Sequence, residues 1–294
     1  MLRKLPLYLF LAPTFVFLVA FSYYPAISAV LTSFTSWDSF NPPTFVGLDN
    51  YARMLGDEQI QIGARNLVVL TVAHLAIGLT VPLAAAELIF HLKSQRIQYW
   101  YRVLFVIPMV VPGVTILMIW RFAYDPQVGL WNQLFRAVGL GLLANDWLGS
   151  FTMALPSLII LNFPWIAGLN FLIYLAGLQG IPAEVIDAAS VDGATGWTRI
   201  RAVDLPLVMA QIKLLLILGI IGQVQQFVNV LILTNGGPGD STMVPGLVMY
   251  QRAFSYGEFG YGTAIGTTIF VVVLVLTYVN LKYVRSSTEY EPTR

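Results

Sequence analysis

The sequence predicts an all-α fold, a polytopic membrane helical bundle with six transmembrane helices. Three observations predict it. Of the 294 residues, 57% are hydrophobic and only 11% are charged, a balance far from that of ordinary globular chains. Six apolar stretches are long enough to match the roughly 20 residues a helix needs to cross a bilayer. No polar segment between them could bury a core of its own, so residues 1–294 read as a single transmembrane domain.

Composition also narrows function. The chain has no cysteine, which excludes disulfides and thiolate metal sites. A net charge of +1 gives no bulk attraction to nucleic acid. No paired carboxylates, nucleophilic triad or metal cluster falls on facing helices, so the chain reads as non-catalytic, with no catalytic residue and no metal site expected.

Arg3 and Lys4 precede an apolar run from Leu5 to Ala20 that extends through Tyr23-Tyr24-Pro25 toward Leu31. A positive start and an apolar core also describe a secretory signal. The run passes beyond a typical signal core and bulky tyrosines follow Ala20-Phe21-Ser22, so the segment reads as an uncleaved first span. The other spans are expected at residues 66–89, 103–123, 151–177, 207–233 and 263–284. Pro108 and Pro112 predict kinks in the third, and Pro156 and Pro164 in the fourth. Gly262 and Gly266 give the sixth a small-xxx-small face suited to close helix contact.

Lysine and arginine set the orientation. With the amino terminus inside, Arg3, Lys4, Lys93, Arg96, Arg102, Arg199, Arg201, Lys282, Arg285 and Arg294 are cytoplasmic. Only Arg53, Arg65, Arg121, Arg136 and Arg252 lie outside. Both termini and the loop at residues 181–206 are therefore expected in the cytoplasm. The inner turn His91-Leu92-Lys93-Ser94-Gln95-Arg96 reads as a solvated basic loop. His91 is not expected to bind metal, for want of a second ligand at helical spacing.

Three outer loops remain. In the first, Asp49 or Asn50 is expected to cap a short amphipathic helix through Met54-Leu55. The second, residues 124–150, carries Trp131 and Trp147, which suit a membrane interface. The third, residues 234–242, is glycine-rich but lacks the lysine of a phosphate loop and follows a membrane helix. No other stretch offers a nucleotide site, so ATP hydrolysis by this chain alone is not expected.

The span centres hold no Asp, Glu, Lys or Arg; Glu87, Arg121 and Lys213 sit near span ends, where charge can reach water. His74 is the only titratable side chain that could lie deep, and a lone histidine suits packing. A proton-driven carrier needs a titratable group on its path, so the energy for transport is expected to enter at a cytoplasmic loop. Neutral polar groups are present. Gln223, Gln225, Gln226 and Asn229 lie in the fifth span; on a continuous helix Gln225, Gln226 and Asn229 share a sector of roughly 100°. Asn162, Trp165 and Asn170 flank Pro164 in the fourth. Amides beside Trp165 and Phe227 suit the hydroxyls and C–H faces of a neutral polyol. Hydrogen bonding between helices explains the same amides.

The segment 181–206 carries a full set of helix punctuation. Pro182 suits a first turn, and Glu184 and Asp187 complement the helix dipole. Asp192-Gly193 stops this helix. Thr195 can cap a second, whose apolar stripe is Trp197, Ile200 and Val203. Within it, Asp187-Ala188-Ala189 is followed by three residues, Gly193, nine residues, then Val203-Asp204-Leu205-Pro206.

That pattern resembles the EAA loop of bacterial binding-protein-dependent ABC importer permeases, where Glu-Ala-Ala, Gly and Ile-x-Leu-Pro recur at this spacing. This chain departs from it with Asp187 for glutamate and Val203 for isoleucine. The family's acid pairs with a basic residue of the ATPase; Glu184 is the nearest alternative to the shorter Asp187. FVGLDNY, LTNGGPGDST and Phe259-Gly260-Tyr261-Gly262 resemble the sugar-importer permeases related to the maltose, lactose and glycerol-phosphate systems. The resemblance covers nearly the whole chain. It implies a type I ABC importer permease in the bacterial inner membrane, taking up a sugar or sugar-like polyol. It implies a second homologous permease, for which the Gly262–Gly266 face is a candidate contact, two ATPase subunits and an extracytoplasmic binding protein. No cofactor is implied on this chain; ATP and Mg are expected on the partner ATPase. ATPase coupling is implied for Glu184, Asp187, Ala188, Ala189, Asp192, Gly193, Leu205 and Pro206. A stand-alone proton-coupled carrier is the alternative reading.

Overall fold

A computed structural model describes residues 5–166 and 168–284. Arg3, Lys4, Arg285 and Arg294, which entered the charge argument, lie outside the described residues. The first span is α1 (Leu5–Leu18), continued through a π turn at Val19–Tyr23 into α2 (Tyr24–Thr32). A two-stranded antiparallel ribbon, β1 (Thr35–Ser36) with β2 (Thr44–Phe45), leads to the amphipathic α3 (Asp49–Gly56). Neither Asp49 nor Asn50 caps α3, contrary to expectation; Leu48 holds the cap position. Asn50 is instead buried, donating to the Ser33 and Thr35 carbonyls at 2.9 Å each, which ties α3 to the end of the first span.

The central strut is α4 (Glu58–Phe90), 33 residues long. Asp57 begins it, its carboxylate accepting from the Gln59 N–H. At 1.5 Å per residue it spans about 50 Å, more than the ~30 Å apolar thickness of a bilayer. Next come α5 (Gln95–Val106), a 3₁₀ turn at Ile107–Val110, and α6 (Gly113–Ala123). Pro108 and Pro112 bend this pair by 93°, as expected for prolines that remove backbone donors. The loop after α6 holds α7 (Leu130–Ala137).

The fourth span is broken. α8 (Ala154–Ile160) gives way to irregular chain before α9 (Leu169–Gln179). Pro156 lies in the first turn of α8 and makes no kink, since a first-turn proline forfeits no helix bond. Pro164 lies within the irregular part. Then follow α10 (Ala183–Val191), α11 (Gly196–Arg199), a π turn at Ile200–Asp204 and α12 (Leu205–Leu207). Pro182 precedes α10 as its cap residue and is not in its first turn. The fifth span is broken too: α13 (Met209–Gln225) stops at an extended Gln226, and α14 (Val228–Leu233) restarts beyond Phe227. α15 (Pro245–Tyr250) precedes the last span, α16 (Phe259–Tyr283). Among the described residues three helices are long and apolar enough to cross a membrane unbroken, and up to six if each bent pair is one span.

Two apolar cores sit at opposite ends of α4. One joins Leu70 to Leu158, Leu161, Val230, Leu247 and Ile265. The other, here the lower core, joins Ala86 and Ile89 to Phe171, Tyr174, Leu178 and Val208. α4 packs on α9 and α13, while α16 packs on α2, α13 and α15. Gly262 and Gly266 face Ala253 and Met249 of their own chain, so their close approach is spent internally and is not a free face for a second subunit.

Gly260 is the tightest crossing. Its N–H donates to the Trp37 carbonyl at 3.1 Å, and a Cβ there would collide with the Thr35 carbonyl oxygen. We predict that Gly260→Ala costs about 1–3 kcal/mol, because backbone rather than a side chain must yield. An unchanged melting temperature in detergent would count against this packing.

Candidate functional site

Between the two cores lies a layer of neutral polar groups. Gly78 and His74 come from α4, Asn170 from α9, and Gly219 and Gln223 from α13; with Trp165 they border a cavity of about 180 Å³. A second, smaller void touches His74, Gln223, Gln226 and Asn229. His74 is therefore common to both, with its Nδ1 2.8 Å from the Leu70 carbonyl. Sequence reasoning set His74 aside as a packing residue. Its signal was an imidazole one helical turn before Gly78 in an otherwise apolar run.

Asn162 and Trp165 border a wider groove of about 450 Å³, shared with Pro108, Trp120 and Phe163. Both residues hold positive φ, +67° and +58°, a conformation rare for side-chain-bearing residues. The Trp165 indole N–H donates to the Leu161 carbonyl at 2.9 Å, anchoring the ring between groove and cavity. Asn170 donates to the Gly78 carbonyl at 3.0 Å, an interhelical bond that also leaves it on the cavity wall.

The fifth-span grouping needs correction. The break at Gln226–Phe227 invalidates a continuous helical wheel. Gln225 is exposed, away from Gln226 and Asn229, and Gln223 takes its place beside them. The Gln226 side-chain oxygen accepts from the Val228 N–H at 3.1 Å, satisfying a donor freed by the break. Phe227 stacks on Tyr250 with centroids 5.6 Å apart and packs into the Leu247 core, not beside the amides.

The segment 181–206 is a projecting elbow. Ala189 is buried and Ile186 packs on the lower core, while Glu184, Asp187, Ala188, Asp192 and Gly193 are exposed. α10 ends in a Schellman closure: Ala194 N–H bonds the Ala189 carbonyl at 2.8 Å and Gly193 N–H bonds that of Ser190 at 3.1 Å. Gly193 has the left-handed φ of +79° this requires. Thr195 occupies the cap position of α11 but makes no side-chain cap bond. Two large apolar side chains stand in the open at the elbow, Val191 at 87% and Trp197 at 74% exposure. Among the described residues Glu184, Asp187 and Asp192 have no salt bridge. Leu205 is half-buried and Pro206 exposed where α12 turns toward α13.

Near the elbow, at the far end of α4, Glu87 is buried, not snorkelling as expected. It lies four residues before His91, 3.7 Å from its Nδ1, so His91 does have a potential partner at helical spacing. Buried Asp204 completes the group and meets Arg199 at 3.3 Å.

The opposite end is a rim tied by charge. Arg53 bonds both Glu258 oxygens at 2.9 and 3.0 Å and lies over the Tyr261 ring. The Glu258 hydrogen bond holds the Arg53 guanidinium above its usual range. Asp57 accepts from Tyr261 Oη at 2.8 Å and pairs with Arg252 at 3.4 Å. Asn66 donates to the Ser241 and Met243 carbonyls, fastening the glycine-rich loop to α4. In the loop after α6, the N–H groups of Val128 and Gln127 hold the Asp125 carboxyl below the ordinary carboxylate range. Trp147 is not simply an interface anchor, as expected, but donates to buried Asn132 within that loop.

The family described as binding-protein-dependent transport system inner membrane component matches residues 76–288. The chain is 31% identical to the probable ABC transporter permease protein YurN of Bacillus subtilis over 98% of each chain. It is 30% identical to the diacetylchitobiose uptake system permease protein NgcF of Streptomyces coelicolor, covering 90% of this chain and 78% of that one. Its fold is similar to a chain of a bacterial alginate ABC transporter solved in complex with an alginate pentasaccharide-bound periplasmic protein. That similarity has a TM-score of 0.83 at 23% identity, covering 95% of this chain and 93% of that one.

Proposed function

Since the chain belongs to the family of binding-protein-dependent transport system inner membrane components, we propose that it forms, with a second homologous permease, the membrane pathway for saccharide uptake, driven by partner ATPases through the elbow at residues 181–206. It is a non-catalytic ABC transporter permease subunit, a multi-pass inner-membrane protein with a type I importer fold.

One observation carries the coupling: a glycine-bent elbow that leaves Val191 and Trp197 uncovered beside acids with no described ion pair. An apolar anchor ringed by charge is what a protein partner covers. The lysine and arginine bias supports a cytoplasmic elbow, on the side where ATP is. Closure of the ATPase pair moves α10 and α11. α10 leans through Ile186 on the lower core and so on α4 and α9, whose displacement reshapes the polar layer. A binding protein delivers cargo at the opposite rim.

The cavity chemistry favours a neutral saccharide. His74, Gln223, Asn162 and Asn170 offer hydrogen bonds, and Trp165 offers an aromatic face, with no ionised carboxylate or ammonium lining these voids. Diacetylchitobiose uptake by the system of the Streptomyces relative and the alginate pentasaccharide in the solved transporter complex support saccharide cargo.

The cysteine-free chain makes the test direct. A single Val191→Cys should cross-link to an ATP-hydrolysing subunit in native membranes and react only with cytoplasmic thiol reagents. Labelling from the outside, or no ATPase adduct, would refute the coupling. Gln223→Leu removes one amide from the layer and should lower uptake about tenfold, the equivalent of one hydrogen bond, with assembly intact. Full uptake by this variant would remove the layer from the pathway.

A further inference from the structure

The foot of α4 carries a cluster that the transport reading leaves unused. One ligand atom each from Glu87, His91 and Asp204 lies within 4.8 Å of the other two. Glu87 is 6% exposed, and neither of its carboxylate oxygens has a hydrogen-bond partner. Asp204 is fully buried; its Oδ1 meets Arg199 Nε at 3.3 Å, and its Oδ2 has no partner. Two buried carboxylates thus face one guanidinium. Buried charge is kept where it is paired or coordinates a metal, and here one carboxylate is over. His91, 36% exposed at its side chain, opens the cluster to solvent.

We propose that Glu87, His91 and Asp204 bind a divalent cation of the zinc class, which staples α4 to the π turn between α11 and α12. Donor chemistry selects the class. An imidazole nitrogen with two carboxylates suits zinc and its first-row neighbours, whereas calcium and magnesium take all-oxygen shells. Zinc ligands sit about 2.0–2.2 Å from the ion, so donors now up to 4.8 Å apart close by small side-chain rotations. Glu87 supplies its unpaired oxygens and Asp204 its free Oδ2. Arg199 keeps its bond to Asp204 Oδ1 and its place over the Phe90 ring at 5.4 Å. His91 contributes a ring nitrogen; its Nδ1 is also 2.9 Å from the Glu87 carbonyl, which orients the imidazole. The bound ion joins the strut to the elbow where two buried carboxyl groups share one guanidinium.

Cobalt(II) is the probe, titrated into the purified full-length chain in detergent without a polyhistidine tag. The chain has two histidines and no cysteine, so a visible d–d band assigns readily. One cobalt per chain, displaced by zinc and not by magnesium, is expected. Glu87→Gln and His91→Gln should each weaken binding on the order of tenfold or more, and His74→Gln should leave it unchanged. His91 is partly exposed, so its variant keeps the core, checked by size-exclusion behaviour. No saturable binding, displacement by magnesium as easily as by zinc, or binding indifferent to both the Glu87 and His91 variants would overturn the site. The assay needs no ATPase, so its failure leaves the transport reading intact, and the reverse.

Discussion

Replacing Gly193 with valine is expected to uncouple the transporter while leaving the bundle folded. The residue holds φ +79° and closes the Schellman end of α10. A β-branched residue in that region costs on the order of 1–3 kcal/mol, which reduces the bent population by roughly five- to 150-fold. Nothing lies within 4 Å of a Cβ built at Gly193, so the penalty is one of backbone conformation and not of collision. Gly193→Asn therefore provides the control, because asparagine tolerates the left-handed region. Substrate-stimulated ATP hydrolysis in the reconstituted assembly should fall by about the same factor, roughly five- to 150-fold, for valine and stay near normal for asparagine. Equal losses for both would mean the elbow works through its surface and not through its bend.

The second large effect is expected at Asn132, in the loop between α6 and α8. It is 1% exposed and makes four hydrogen bonds. Its amide donates to the Pro126 and Asn145 carbonyls at 3.0 and 2.8 Å. Its oxygen accepts from Asn145 N–H at 3.0 Å and Trp147 Nε1 at 2.8 Å. Asn132→Leu keeps the number of side-chain heavy atoms and strips the partner from four groups on the exposed Pro126 and the half-buried Asn145 and Trp147; at about 1–3 kcal/mol each for a fully buried group, with relief by water at these wetter positions, the total is roughly 2–5 kcal/mol. A large fall in Tm with early proteolysis at residues 124–150 is the expected outcome. A variant as stable and protease-resistant as the parent would show that water already satisfies these groups.

What the sequence made legible followed local rules. The bend at Gly193 was readable because an αL cap needs glycine and the flanking residues are helix formers. The kink at Pro108 and Pro112 was readable because a missing N–H acts wherever it sits. The break at Gln226 was not: Gln225, Gln226 and Phe227 are ordinary helix residues, and the interruption coincides with a tertiary contact, Phe227 stacked on Tyr250. The amide grouping failed for that reason, with Gln223 in place of Gln225. The burial of Glu87 was hidden as well. Its environment comes from Asp204 and Arg199, more than a hundred residues away, and position near a span end does not decide whether a carboxylate faces water. Asn50 was misread as a cap because its partners, the Ser33 and Thr35 carbonyls, are set by tertiary contact.

The single uninterrupted rod from Glu58 to Phe90 belongs to both apolar knots at once. Its two ends therefore cannot melt separately; loosening either knot strains the rod that secures the other. Its midsection amides should be the last in the molecule to exchange with heavy water, even though the voids beside them are where the bundle is least filled.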